Sequence, residues 1–246
     1  VPAVRVFLAV EYDKARDDEC FSVNCTSGTA EPKDLIINES ELADLTPITD
    51  PTERQHMMAA IVKEVSDLCS IGTFGFQPTP SNRKAISSKL VLKIKYLADG
   101  RYSRHKARLV VRGFLQRLGL DWHSSFSPMA TLTTVRVLFA IAVYLGLPII
   151  HADIPQAFVQ SLLDQDIWIQ LPRGIMLKDP ATGQITRAVK LIRALYGLKQ
   201  SPQVWHKALT EFFTTDCEYQ QANTDACLFY KLNRDKQFVL VAVEVD

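Results

Sequence analysis

The sequence predicts an α+β fold with antiparallel sheet packed on helices, and three observations carry that expectation. Residues 88–112 alternate with period two around a turn dipeptide. Apolar residues recur at helical spacing over 53–70, 134–146 and 201–213. Two apolar stretches, 227–232 and 238–245, read as strands joined by Asn233-Arg234-Asp235-Lys236. In the first of these segments Leu90, Leu92, Ile94 and Tyr96 alternate with Lys89, Val91, Lys93 and Lys95, as a half-buried strand requires. Asp99-Gly100 is a favoured two-residue hairpin turn. Tyr102, Arg104, Lys106, Arg108, Val110 and Arg112 then line one side of the return strand.

Taken in order, residues 11–53 are acidic, rich in Ser, Thr and Asp, and interrupted by Pro32, Pro47 and Pro51. They read as a linker or loosely packed extension with local structure near 35–45, so 1–53 is separated from a folded region at 54–246. Met57, Ala60, Ile61, Val65 and Leu68 mark the first helix. After the hairpin, Thr133 or Thr134 is expected to cap a helix over 134–146 with Val137, Ala140, Ile141 and Tyr144 buried. Pro148-Ile149-Ile150 begins a short strand that ends at His151 and Asp153. Gln156–Leu163 reads as helix or turn, Ile167–Ile169 as strand, and 172–187 as loop. Ser201-Pro202 starts a helix with proline at its first position, and Trp205, Ala208, Leu209, Phe212 and Phe213 form its apolar stripe.

The chain has 246 residues, 47% apolar and 22% charged, which excludes a wholly disordered protein. Its longest apolar run, Val137–Ile150, is 14 residues long and contains Gly146 and Pro148, too short and broken for a bilayer span. No membrane partner is therefore expected. Five scattered cysteines supply neither a disulfide framework nor paired zinc ligands, which points to an intracellular protein.

The net charge of +1 conceals an asymmetry: residues 11–68 carry 14 acids and 5 bases, whereas 83–119 carry 11 bases and one acid, Asp99. A charge run is commonly just a solvated face. Here, with Asp99-Gly100 as the turn, Lys95 opposes Arg104 and Lys93 opposes Lys106 on one side of the ribbon. Like charges directly opposite destabilise a strand pair. The pattern makes sense if an anion supplies the missing charge, with a polyphosphate or nucleic-acid backbone as the candidate.

Asp153 and Asp246 each follow an apolar strand. Two strand-end carboxylates are what a magnesium site for phosphoryl transfer requires, although an Asp after a strand is also an ordinary turn residue. His123, His151 and His206 have no metal-ligand spacing and read as structural.

Several motifs occur in one colinear order: Lys93-Ile94-Lys95, Asp99-Gly100, Lys106-Ala107-Arg108-Leu109-Val110, Gly113-Phe114, Gln116, Gly119, Asp121, Phe126-Ser127-Pro128, Arg136, Asp153, Ala157-Phe158 and Leu195-Tyr196-Gly197-Leu198-Lys199-Gln200-Ser201-Pro202 followed by Trp205. In this series the chain resembles the reverse transcriptase of copia-type LTR retrotransposons, over about residues 54–246. The resemblance implies the fingers and partial palm of a right-hand, RNA-directed DNA polymerase, incomplete at its C-terminus. It also implies a place in a Gag-Pol-type polyprotein within a cytoplasmic particle or the nucleus.

The implied partners are an RNA or DNA template-primer and a dNTP, and the implied cofactor is Mg²⁺ or Mn²⁺. Asp153 and Asp246 would be the catalytic, metal-binding carboxylates. Lys95, Lys106, Arg108, Phe158, Tyr196 and Gly197 would bind the nucleotide, with Phe158 as the aromatic gate against a ribose 2′-OH. Lys93, Arg104, Arg112 and Lys199 would contact nucleic acid. Phe158 read as a core residue, Tyr196 and Leu198 as packing, and Gly197 as a turn residue needed for its φ angle are the alternatives.

The family's Tyr-x-Asp-Asp motif corresponds to Glu244-Val245-Asp246 at the end of the chain, and Pro155 and Gln156 replace residues more often Val- or Asn-like. On these grounds the 246-residue chain is expected to be inactive as a polymerase by itself. A non-catalytic nucleic-acid-binding remnant is the alternative function.

Overall fold

The computed structural model describes residues 4–9, 34–232 and 238–245. In chain order the elements are strands β1 (Val4–Ala9) and β2 (Leu35–Ile37), helix α1 (Pro51–Ser70), and strands β3 (Phe74–Gly75), β4 (Ile86–Tyr96) and β5 (Tyr102–Val111). Helix α2 (Leu132–Leu145) leads to β6 (Ile149–Asp153), β7 (Leu162–Gln170), β8 (Ile175–Lys178), β9 (Ile185–Thr186) and β10 (Ala188–Arg193). Helix α3 (Ser201–Glu211) then precedes β11 (Gln220–Gln221), β12 (Leu228–Leu232) and β13 (Phe238–Val245). This is an α+β protein. By its contacts the chain divides into two units, one of Val1–Thr26, Phe126–Ala157 and Pro202–Asp246, the other of Ser27–Ser125 and Phe158–Ser201.

The second unit holds a five-stranded sheet in the order β3-β10-β7-β4-β5 and a smaller sheet β2-β8-β9. Its pairs are antiparallel except β4 with β7, which run parallel. Helix α1 begins where the Asp50 side chain accepts the N–H groups of Thr52 and Glu53, with Pro51 at its first turn. It buries Met57, Ile61, Val65 and Leu68 against Leu90, Ala107, Leu109 and Val111 of the hairpin. Each such side chain contributes about 1.5–3 kcal/mol when withdrawn from water. Upstream of α1, Leu42 and Leu45 are 2% and 0% exposed within the same core, and the Asp44 carboxylate accepts the Leu90 N–H at 3.3 Å. The loop expected over 172–187 contains β8 and β9, and Ile175 and Leu177 are core residues. Short strands flanked by proline and glycine leave little periodic signal.

The first unit is built on the sheet β11-β12-β13-β1-β6, all antiparallel. Strand β1 lies between β13 and β6, so Arg5 is opposite Glu244 on one side and Asp153 on the other. Helix α2 is capped by Thr131, whose side chain accepts the Thr134 N–H, and not by Thr133 or Thr134 as expected. It ends at Gly146 in the left-handed conformation, φ 68°. Its buried residues are Val135, Leu138 and Ala142, whereas Val137, Ile141 and Tyr144 of the expected face are 52%, 37% and 88% exposed. The helix is apolar on nearly every side, so periodicity alone cannot choose its face.

Asp225 ties this unit together. Its carboxylate accepts the N–H of Thr131 at 3.2 Å, the N–H of Cys227 at 2.9 Å and the Thr134 hydroxyl. Burial alone would raise its pKa, but these donors hold the carboxyl below its ordinary range.

Candidate nucleotide and nucleic-acid site

The β4–β5 hairpin has the charge-opposed register expected from its sequence: Lys93 is opposite Lys106 and Lys95 is opposite Arg104. The turn differs. Leu97 and Arg101 close a loop of Ala98, Asp99 and Gly100, with Gly100 at φ +83°. The register shifts once between Lys95 and Tyr96, and this bulge restores the pairing expected for the rest of the ribbon. Strand alternation puts Leu90, Leu92 and Ile94 with Ala107, Leu109 and Val111 toward the core. The opposite face carries Lys93, Lys95, Arg104, Lys106 and Arg108.

Among the described residues none of these five cations is in an ion pair. The one acid at the turn, Asp99, is engaged by Arg101. Partial burial, with the charges of Arg108, Arg104 and Lys95, lowers the Lys106 pKa, while Glu64 opposes the shift. The ribbon face therefore concentrates positive charge at a cost to the fold.

At its inner end this face meets aromatic rings. The Arg108 guanidinium lies 4.7 Å from the centre of the Tyr196 ring, and Tyr196 meets Phe158 edge-on at 5.2 Å. Phe158 is 4% exposed and Tyr196 8%. The structure thus joins Lys95, Lys106, Arg108, Tyr196 and Phe158 in one continuous arrangement.

Tyr196 is placed by two glycines in close apposition. The Val111 N–H donates to the Tyr196 carbonyl at 2.8 Å. A Cβ on Gly197, which has φ +91°, would stand 2.1 Å from the Val111 oxygen, and one on Gly113 would stand 2.0 Å from the Gly197 oxygen.

A buried amide network supports the same turn. Gln116 donates to Gln200 at 2.9 Å and accepts the Lys199 N–H at 2.8 Å, and Gln200 donates to the Asp121 carbonyl at 3.0 Å. The Asp121 carboxylate, 7% exposed, meets Arg83 at 3.3 Å and Arg117 at 3.4 Å. Lys199 Nζ lies 4.5 Å above the Trp122 ring, so this expected nucleic-acid contact is braced by an aromatic. Arg112 is exposed just beyond β5, and its N–H donates to Ser87 at 3.0 Å.

The sequence signals Gln116, Asp121 and Gln200 only as motif members, because their partners lie far along the chain. Glu64 carries no signal at all. From α1 it accepts the Leu109 N–H at 3.1 Å, on strand β5 at the edge of its sheet. Burial raises its pKa, more than the Leu109 N–H, Arg108 and Lys106 lower it. The folded state therefore holds the Glu64 proton more tightly than the unfolded chain, so this contribution to stability is present below the ordinary value of 4.5 and is lost as pH rises through the folded pKa. Glu64→Gln keeps an acceptor and removes the charge. Urea midpoints measured from pH 4 to 8 should fall with pH in the wild type relative to this variant, and parallel curves would refute the assignment.

Asp153 ends β6 and is exposed. Three residues on, Gln156 has φ 50°, a left-handed conformation that Asn adopts more readily than Gln. Asp246 lies outside the described residues. No group of three or more His, Cys, Asp or Glu side chains among the described residues could hold a metal ion. A single exposed carboxylate does fit the way Mg²⁺ is held, by one or two carboxylates together with substrate phosphates. His206 Nε2 donates to the Ala226 carbonyl, 3.1 Å away, a structural role. No helix among the described residues is long and apolar enough to cross a membrane.

Comparison with known proteins identifies the frame in which this geometry belongs. Residues 72–246 match the family model described as reverse transcriptase (RNA-dependent DNA polymerase). The chain belongs to that family. Over 212 residues it is 30% identical to the retrovirus-related Pol polyprotein from transposon TNT 1-94 of Nicotiana tabacum, covering 86% of this chain and 16% of the relative. It is 36% identical over 169 residues to the Pol polyprotein from transposon RE1 of Arabidopsis thaliana, covering 69% and 11%. The yeast transposon Ty1-NL2 Gag-Pol polyprotein is 25% identical over 183 residues, covering 73% and 10%. These relatives are copia-type, and the chain is a reverse transcriptase domain of that type, spanning a small part of each relative's length. No solved structure matches it significantly.

Proposed function

We propose that the chain forms the fingers and partial palm of an RNA-directed DNA polymerase over residues 54–246, within a Gag-Pol-type polyprotein. The reaction would transfer a nucleotidyl group from a dNTP to a primer 3′-OH on an RNA or DNA template. The observation that carries this reading is the cationic face, without ion pairs among the described residues, running from Lys93 and Lys95 through Lys106 and Arg108 to Tyr196 and Phe158. A triphosphate offers the negative charge that this face lacks. Lys95, Lys106 and Arg108 would hold the phosphates, and charge accumulating on the pyrophosphate leaving group would be stabilised by cations already in place. Gly197 would let the backbone approach closely, and Phe158 would limit room beside the sugar C2′. Lys93, Arg104, Arg112 and Lys199 would position the nucleic-acid backbone.

Asp153, with Asp246, would hold Mg²⁺ or Mn²⁺. When bound, the metal lowers the pKa of the primer hydroxyl and offsets charge on the phosphates.

Primer extension by the domain within a longer stretch of its polyprotein tests the proposal. Asp153→Asn should abolish incorporation, while Asp164→Asn, an exposed acid of β7, should retain it. Phe158→Val should raise ribonucleotide relative to deoxyribonucleotide incorporation. Incorporation that survives Asp153→Asn would overturn the catalytic assignment. Binding of nucleic acid with no incorporation by the wild type would favour the non-catalytic reading.

A further inference from the structure

The reverse face of the same hairpin tip carries aromatic rings where the first carries cations. Tyr96 and Tyr102 are paired across the ribbon, and they are 62% and 54% exposed. Tyr96 lies two residues beyond Ile94, and Ile94 pairs with His105. By alternation Tyr96 and His105 lie on the face opposite Lys93, Lys95 and Arg104.

Tyr102 is held on this face as well. Its hydroxyl oxygen is 2.8 Å from His105 Nδ1 and accepts the His105 backbone N–H at 3.2 Å. The His105 ring stands 5.3 Å from the Tyr102 ring and 5.4 Å from that of His56 on α1. One tyrosine is thus pre-oriented by its neighbours, and both present ring surface to solvent at the end of the ribbon.

An unpaired nucleic-acid strand has a phosphate edge and a series of flat, weakly polar bases. The hairpin tip has matching chemistry, with cations lacking ion-pair partners among the described residues on one face and opposed rings on the other. Aromatic side chains beside a basic track are the means by which single strands are bound with little sequence preference.

We propose that Tyr96 and Tyr102 are a stacking platform for unpaired bases of a single-stranded nucleic acid whose backbone is held by Lys93 and Arg104. The inference rests on the nucleic-acid reading above and adds a base-contacting surface to it.

The experiment is equilibrium binding by the 246-residue chain of a short oligothymidylate and of an abasic oligomer with the same number of phosphates. Tyr96→Ala and Tyr102→Ala should each weaken oligothymidylate binding about tenfold. Abasic binding and its salt dependence should stay unchanged. Tyr102→Phe keeps the ring and should stay within about twofold of the wild type for both probes. Equal weakening of both probes, or no weakening of the oligothymidylate, would overturn the platform while salt-dependent abasic binding still supports the cationic face. If the wild type binds neither probe, the platform and the nucleic-acid reading fall together.

Discussion

Gly197→Ala is expected to destabilise the unit containing the hairpin by about 4 kcal/mol, combining left-handed backbone strain with a forced loss of contact. The residue has φ +91°, and its added Cβ would stand 2.1 Å from the Val111 oxygen and 2.8 Å from Val110 Cγ1. Relief requires the Tyr196 turn to separate from β5, which breaks the 2.8 Å hydrogen bond from the Val111 N–H to the Tyr196 carbonyl. Arg108 then loses the ring beneath it, so the proposed nucleotide binding should fail along with stability.

Gly100→Ala is the matched control, because Gly100 has φ +83° but nothing within 4 Å of its Cβ position. It carries the conformational cost alone, about 1 kcal/mol. For a chain of this size the Gly197 variant should melt roughly 10 °C lower than the wild type. Equal melting temperatures for the two variants would show that the close approach is not needed for folding.

Replacing Lys93, Lys95, Arg104 and Lys106 together by Gln is expected to reduce the slope of log K against log[salt] by about 3 for single-stranded nucleic acid, since each phosphate contact contributes about 0.7. Near 0.1 M salt this corresponds to an affinity loss on the order of several hundredfold. The fold should not suffer, because these side chains oppose one another across the ribbon and their mutual repulsion disappears. The melting temperature should hold or rise. Titrations at several salt concentrations, with melting curves on the same samples, separate the two effects. An unchanged slope would remove this face from the interface, and a collapse in stability would show that the cations are structural.

The sequence by itself determined the elements whose signals are local. The register of β4 and β5 follows from period-two alternation around a turn, and that alternation alone puts Lys93, Lys95, Arg104 and Lys106 on one face. The turn itself is less legible: a three-residue loop with a compensating bulge leaves the same distant register as a two-residue loop without one. Helix α1, the start of α3 at Ser201 and the strand ending at Asp153 are legible for similar reasons of spacing and capping.

Only the tertiary structure decided the rest. The buried side of α2 depends on the sheet it meets, because an almost uniformly apolar helix has no preferred face of its own. The position of β1 between β13 and β6 depends on pairing between distant segments, about which a short apolar run carries no information. Phe158, Tyr196 and Arg108 stand out separately through a family resemblance, but their contact exists because Gly113 and Gly197 let two backbones approach more closely than any side chain allows. Glu64 has no sequence signal, since its role arises from an unpaired N–H at a sheet edge that exists only once α1 packs on β5.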